Sequence, residues 1–146
     1  MIINFLEYIM SSFPEDIFHL KIDNSYLDIE KSKNPLNQHR VICSAIKNDT
    51  TQLWYFDEGT IKHHQTKGYL TKKYHGWIPS HSNIILQTEH DYDIENDEPF
   101  QWKYANGCLT IQQNECQYLL CKDLNQNIIL QQEGNTIAKR WELINV

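Results

Sequence analysis

Apolar and polar residues alternate through Phe18-His19-Leu20-Lys21-Ile22, through Thr60-Ile61-Lys62 and through Cys108-Leu109-Thr110-Ile111. A period of two predicts half-buried β-strands, because successive side chains of an extended chain point to opposite faces. Short apolar runs follow later, at Val41-Ile42-Cys43, Ile84-Ile85-Leu86 and Ile128-Ile129-Leu130, and these also read as strands. Turn-forming residues stand at the joints: Asp23-Asn24, Asp57-Glu58-Gly59, Asn106-Gly107 and Glu133-Gly134-Asn135. Helical spacing is confined to the first 14 residues, where Ile2, Ile3, Leu6, Ile9 and Met10 predict a short amphipathic N-terminal segment.

The strand pattern recurs. Ser25-Tyr26-Leu27-Asp28-Ile29 matches Gly68-Tyr69-Leu70-Thr71-Lys72 and Gln117-Tyr118-Leu119-Leu120-Cys121. Each set is followed by one of the apolar runs and then by a tryptophan: Trp54, Trp102 or Trp141. The spacing from Ile42 to Ile85 is 43 residues and from Ile85 to Ile129 is 44. Three sets of markers in one order predict three copies of a four-stranded unit, near 15–56, 57–104 and 105–146, behind a segment 1–14. One such unit cannot bury its apolar side alone. Three about a common axis share one core and close a six-stranded barrel capped by three hairpins. The expected fold is therefore all-β, a β-trefoil with a short N-terminal helical segment, and the recurring Tyr, Leu, Ile and Trp are expected to be core.

Gln52-Leu53-Trp54 is a Gln-x-Trp, followed by Asp57-Glu58-Gly59-Thr60-Ile61 and Gly68-Tyr69-Leu70-Thr71. The chain resembles the ricin-B-type (R-type) lectins, whose trefoil units end in Gln-x-Trp; the likeness runs from about Asp16 to Val146. It implies shallow sugar pockets, each built from an Asp just after the Tyr/Cys-Leu position, an aromatic on the next apolar strand and an Asn or Gln near the Gln-x-Trp. Carried over residue by residue, the Asp position is Asp28, then Thr71, then Leu120. No aromatic stands in Ile42–Ser44, Ile85–Gln87 or Ile129–Gln131. The resemblance thus assigns sugar binding to the first unit, through Asp28 and Gln52, with His39, Arg40 and Ser44 on the neighbouring strand. The other units are expected to be degenerate.

Composition narrows the remaining chemistry. Thirteen Lys+Arg against 19 Asp+Glu give a formal charge of −6, which disfavours nucleic acid. No apolar run is long enough to insert into a membrane. The four cysteines, Cys43, Cys108, Cys116 and Cys121, form no Cys-x-x-Cys pair and are expected to be reduced thiols. The N-terminus lacks a basic region ahead of its apolar residues, so a cytoplasmic location is expected, with secretion as the alternative. Neighbouring His63 and His64 point to opposite faces of a strand and cannot share an ion, so neither metal nor other cofactor is expected. No nucleophile elbow or phosphate-cradling glycine loop occurs, so no enzyme is expected.

Two further segments stand out. Lys72 to His81 gathers Tyr74, His75, Trp77 and His81 in one loop, a candidate binding surface. Glu89 to Glu98 holds six acidic residues in ten and reads as a solvated hairpin extension. The leading reading is a non-enzymatic carbohydrate-binding module for a glycan or glycoprotein, with Met1 to Phe13 as a candidate homodimer contact. The alternative is a protein-binding trefoil, a protease inhibitor or adaptor, acting through its loops.

Overall fold

The computed structural model describes residues 13–30, 38–47, 49–72, 82–87, 100–113, 115–132 and 139–146, with backbone alone at 38, 72 and 82–87. Their strands fall into three successive sets of four. The first unit holds β1 (Phe18–Ile22), β2 (Ser25–Ile29), β3 (Gln38–Ser44) and β4 (Trp54–Asp57). The second holds β5 (Thr60–His63), β6 (Tyr69–Lys72), β7 (Ser82–Gln87) and β8 (Lys103–Ala105). The third holds β9 (Cys108–Gln113), β10 (Cys116–Lys122), β11 (Ile128–Gln132) and β12 (Trp141–Asn145). A single 3-10 turn, Thr50–Gln52, precedes β4.

First and last strands of the units form a closed barrel. β1 pairs with β12 and β4, β4 with β5, and β8 with β9. The two remaining seams are closed by Trp102 N–H donating to Gly59 O at 2.8 Å and Trp141 N–H donating to Gly107 O at 2.7 Å. Closure leaves no free sheet edge in the barrel. The middle strands form hairpins, β2–β3, β6–β7 and β10–β11, linked to one another through β3–β7 and β7–β11 pairing.

Cross-strand register fixes which residues are equivalent. Leu20, Ile61 and Leu109 occupy one fully buried layer, opposite Leu143, Phe56 and Tyr104. The indole N–H of Trp54 donates to Leu27 O at 3.0 Å, that of Trp102 to Leu70 O at 3.2 Å, and that of Trp141 to Leu120 O at 2.9 Å. The three tryptophans are buried and do the same job in each unit: each ties a barrel strand to its own hairpin. These bonds make the expected threefold relation concrete.

They also correct one expectation. Leu120, not Leu119, is the partner of its unit's tryptophan, so the third set of markers slips by one residue. Ile111 pairs with Tyr118 as Ile22 pairs with Ser25, which makes Tyr118 the counterpart of Ser25 and Cys121 the counterpart of Asp28. The physical reason is a longer β9–β10 hairpin, extended outward to the Cys116–Gln113 pair. Repetition of Tyr-Leu concealed the slip, because Leu119-Leu120 offers two apolar residues where the other units offer one.

Two hairpin turns explain how the chain passes between units. Glu58 and Gly59 have φ of +48° and +86°, and Asn106 and Gly107 have +54° and +77°. Two successive positive φ values suit the twist of a two-residue hairpin, and glycine takes the second position without Cβ strain. Ahead of β1, Phe13 stacks on Phe56 with ring centroids 4.1 Å apart and also meets Tyr104 at 6.1 Å. The predicted N-terminal helix lies outside the described residues. Of the candidate dimer contact, only Phe13 is described, and it is spent within its own chain.

Candidate functional site

Asp28 sits on β2 at a position where two neighbouring strand residues, Leu27 and Ile29, are core. It is itself completely buried. Its carboxylate accepts from the Ile29 N–H at 2.8 Å, the Ser44 hydroxyl at 2.6 Å and the Lys47 ammonium at 3.1 Å. Ser44 is delivered by the β2–β3 register, which pairs Tyr26 with Ser44 and Asp28 with Ile42. Asp28 and Ser44 therefore share one sheet face two residues apart.

Gln52 completes the cluster from the 3-10 turn. Asp49 caps that turn by accepting from the Thr51 N–H at 2.9 Å. The turn drives the Gln52 side chain inward, where it is fully buried. Its amide nitrogen lies 2.8 Å from Ala45 O, 2.9 Å from Ser44 Oγ and 3.3 Å from Asp28 Oδ2. Its oxygen accepts from the Lys47 N–H at 3.0 Å. Ser44 thus relays a bond from Gln52 to Asp28. Burial acts to raise the Asp28 carboxyl pKa, but the donors, Ser44 foremost, outweigh it and hold the group below its ordinary 3.8. The carboxylate is kept as an anion in a site that would otherwise neutralise it.

Lys47 was not foreseen. Nothing in the residue pattern singles it out, because the loop 45–47 has no regular register. Its side chain is about half exposed, and its ammonium lies 3.1 Å from Asp28 Oδ2. The adjacent Ile46 is 61% exposed.

Three of the expected sugar-site residues, Asp28, Ser44 and Gln52, are brought together. His39 and Arg40 are not. Both stand beyond the Ile29–Val41 pair, toward the far end of β3, where they register with Leu86 and Ile85 of β7. Arg40 donates to Asn127 Oδ1 at 2.6 Å and faces Glu30 at 3.6 Å, bridging to the β10–β11 turn. His39 Nδ1 is buried and has no hydrogen-bond partner among the described residues. Arg40 stands two residues from Ile42 on the side away from Ser44 and is held by Asn127 and Glu30, and His39 lies one residue further along, so neither joins the Asp28 cluster. Tyr74, His75, Trp77 and His81 lie outside the described residues, as does the acidic run.

His63 is the second unforeseen participant. It occupies the core position taken by Ile22 and Ile111 in the other units, facing Trp54 at 4.9 Å in an edge-on arrangement. Nε2 lies 2.8 Å from Thr51 O, and Nδ1 accepts from the Thr66 N–H at 3.3 Å. One ring nitrogen donates and the other accepts, which is the neutral tautomer. Burial is the main cause holding its pKa below 6.5, against the opposing pull of the Thr51 carbonyl. His64 opens the turn after β5 and meets the Tyr55 ring, away from the core side that His63 occupies. Among the described residues no group of three or more His, Cys, Asp or Glu could hold a metal ion. Cys43 and Cys121 have thiols pushed up by burial to about 11 and about 12, so neither supplies a thiolate near neutrality.

Neither a search against family models nor a search of curated proteins found a match. Solved structures do match. A designed threefold-symmetric protein, ThreeFoil, superposes with a TM-score of 0.67 at 13% identity, over 89% of this chain and 99% of that one. The C-half of the earthworm R-type lectin, solved with GalNAc, gives 0.65 at 18% identity over 90% and 98%. The β-trefoil lectin of the Vibrio vulnificus hemolysin, solved with N-acetyl-D-lactosamine, gives 0.62 at 15% identity over 92% and 94%. With the barrel closed through three equivalent tryptophans, and these likenesses spanning nearly the whole chain, the fold is a β-trefoil, the fold that these lectins share.

Proposed function

We propose that this chain is a non-enzymatic carbohydrate-binding module with one lectin-type sugar site, in the first unit, and that the second and third units are scaffold. The observation that carries the reading is the set of equivalent positions Asp28, Thr71 and Cys121, of which Asp28 alone offers an anionic acceptor. It is held ionised beside two polar neighbours, Ser44 and Gln52. A sugar hydroxyl pair donates to Asp28 Oδ2 in place of the Lys47 ammonium, which swings into solvent. Only the lysine end of this pair is half exposed, and the buried carboxylate stays held by Ser44, Gln52 and the Ile29 N–H when the ammonium leaves. The fold shared with the earthworm and Vibrio lectins supports the ligand class. Without an aromatic on β3, affinity at a single site is expected to be weak, about millimolar.

A second reading is favoured by one feature. Every donor to Asp28 is intramolecular, so the cluster also serves as a clasp binding β2, β3 and the 3-10 turn. In that case the module engages a protein through its loops. Glycan-array binding by the wild type, Lys47→Ala and Asp28→Asn separates the two. The lectin reading predicts a saturable signal that rises on Lys47→Ala and is lost on Asp28→Asn. Silence from both wild type and Lys47→Ala sinks it and leaves the protein-binding reading.

A further inference from the structure

The threefold register carries one more pair of positions through all three units. Lys21 pairs with Tyr26, Lys62 with Tyr69 and Thr110 with Leu119. Counting two residues further along both strands sets His19 opposite Asp28, Thr60 opposite Thr71 and Cys108 opposite Cys121. Each unit thus has a chemically matched couple at the same place: an imidazole and a carboxylate, two hydroxyls, two thiols. In the third unit Leu109 and Leu120 are fully buried in the main core, so Cys108 and Cys121 lie on the other face of their strands. There the half-buried Cys108 packs against a small apolar cluster of Leu119, Cys121 and Ile129. Ile129 is the β11 residue that registers with Cys121.

We propose that Cys108 and Cys121 form a disulfide by exchange with a small-molecule disulfide, and that this bond staples β9 to β10. The inference is independent of sugar binding in the first unit. All four cysteines are free thiols in the structure. Directly opposed residues of antiparallel strands have Cα atoms about 4.5–5.5 Å apart, within the range of about 4.4–6.8 Å that a disulfide spans. The other two cysteines do not compete. Cys116 is five residues from Cys121 on the same strand, which puts it on the opposite face about 16 Å away. Cys43 stands on β3 and packs against the main core.

The exchange has two steps. The accessible Cys108 sulfur attacks one sulfur of the external disulfide, forming a mixed disulfide and releasing one thiol. The Cys121 sulfur then attacks Cys108 Sγ, breaking the mixed disulfide and releasing the second thiol. Two protein thiols are oxidised, one external disulfide is reduced, and the two protons pass to the released thiolates. Cys121 Sγ donates to Leu119 O at 3.3 Å, a weak bond given up as the side chain turns toward Cys108. Burial pushes the Cys121 thiol up to about 12, against the pull of Lys139. That slows the second step to hours but leaves no stabilised thiolate to hold the pair reduced.

The test incubates the full chain with oxidised glutathione, alkylates it under denaturing conditions and maps its peptides by mass without reduction. Two of the four thiols are expected to disappear, with Cys108 and Cys121 in one cross-linked peptide pair. The Tm is expected to rise by about 5–10 °C and to fall back on adding dithiothreitol. Cys116→Ser keeps both effects, whereas Cys108→Ser, at the half-buried position, abolishes both. Should Cys108→Ser fail to fold, the peptide map of the wild type decides alone. The proposal is overturned by four thiols remaining, by arrest at glutathionylated Cys108, or by a bond between any other two cysteines or between two chains. A bond that leaves the Tm unchanged, or a Tm rise that Cys108→Ser retains, overturns it as well.

Discussion

Asp28 and His63 are polar groups placed where their neighbours in the fold are apolar, and both have every buried polar atom engaged. Removing Asp28 strips acceptors from the Ile29 N–H and from Ser44 and Gln52. Asp28→Ala is expected to cost about 2–3 kcal/mol, since buried donors are left unpaired; denaturant unfolding measures it. Asp28 also gives stability a sign with pH. Its folded pKa is below 3.8, so its contribution is present above 3.8 and is lost as pH falls below that value through the folded one.

His63 acts earlier on the same scale. Its folded pKa is below 6.5, so the unfolded chain takes up a proton that the folded chain refuses. Stability is full above 6.5 and declines as pH drops from 6.5 toward the folded value. His63→Ile restores the residue type of the other two units and removes this titration. Unfolding curves of the two proteins are expected to diverge below pH 6.5, with His63→Ile the more stable in acid; parallel curves would refute the assignment.

Strands and turns were the part of the molecule best anticipated from its residues. Period-two alternation located β1, β5 and β9 because each has one face on the barrel core, and Gly59 and Gly107 marked turns that need positive φ. Gly59→Ala is expected to lose about 1 kcal/mol, from backbone strain at φ +86° and contact with the Gln101 side chain. Register was the weak point. A run of two leucines, Leu119-Leu120, hides a one-residue slip, and the Trp141 bond to Leu120 and the Ile111–Tyr118 register reveal that Cys121 stands where Asp28 does. Phe13 was assigned to a partner surface because its sequence neighbours show helical spacing, yet its ring stacks on Phe56 and meets Tyr104 at a tilt. Phe13→Ala is expected to cost about 2 kcal/mol in thermal or denaturant unfolding, with no change in oligomeric state.

For the molecule as a whole, symmetry explains why architecture was easier to infer than chemistry. Three copies repeat the strand pattern and the closing tryptophan, so these fold signals are stated three times. A site proposed for one unit is stated once. Asp28, Ser44 and Gln52 could be picked out because a Gln-x-Trp and a carboxylate stand in one unit. Lys47, which pairs with Asp28, could not, because it belongs to an irregular loop whose path follows only from the folded backbone. His39 and Arg40 were drawn in by their nearness in sequence, but they register with β7 and Arg40 is taken up by Asn127 and Glu30.

The central claim is that one unit of a threefold scaffold binds sugar at Asp28. Its most direct test is an amide shift titration of the wild-type chain with lactose. The account predicts saturable shifts at Asp28, Ser44, Lys47 and Gln52, with Thr71 and Cys121 unmoved. Saturable shifts centred on either of the other units, or none at any concentration, would contradict it.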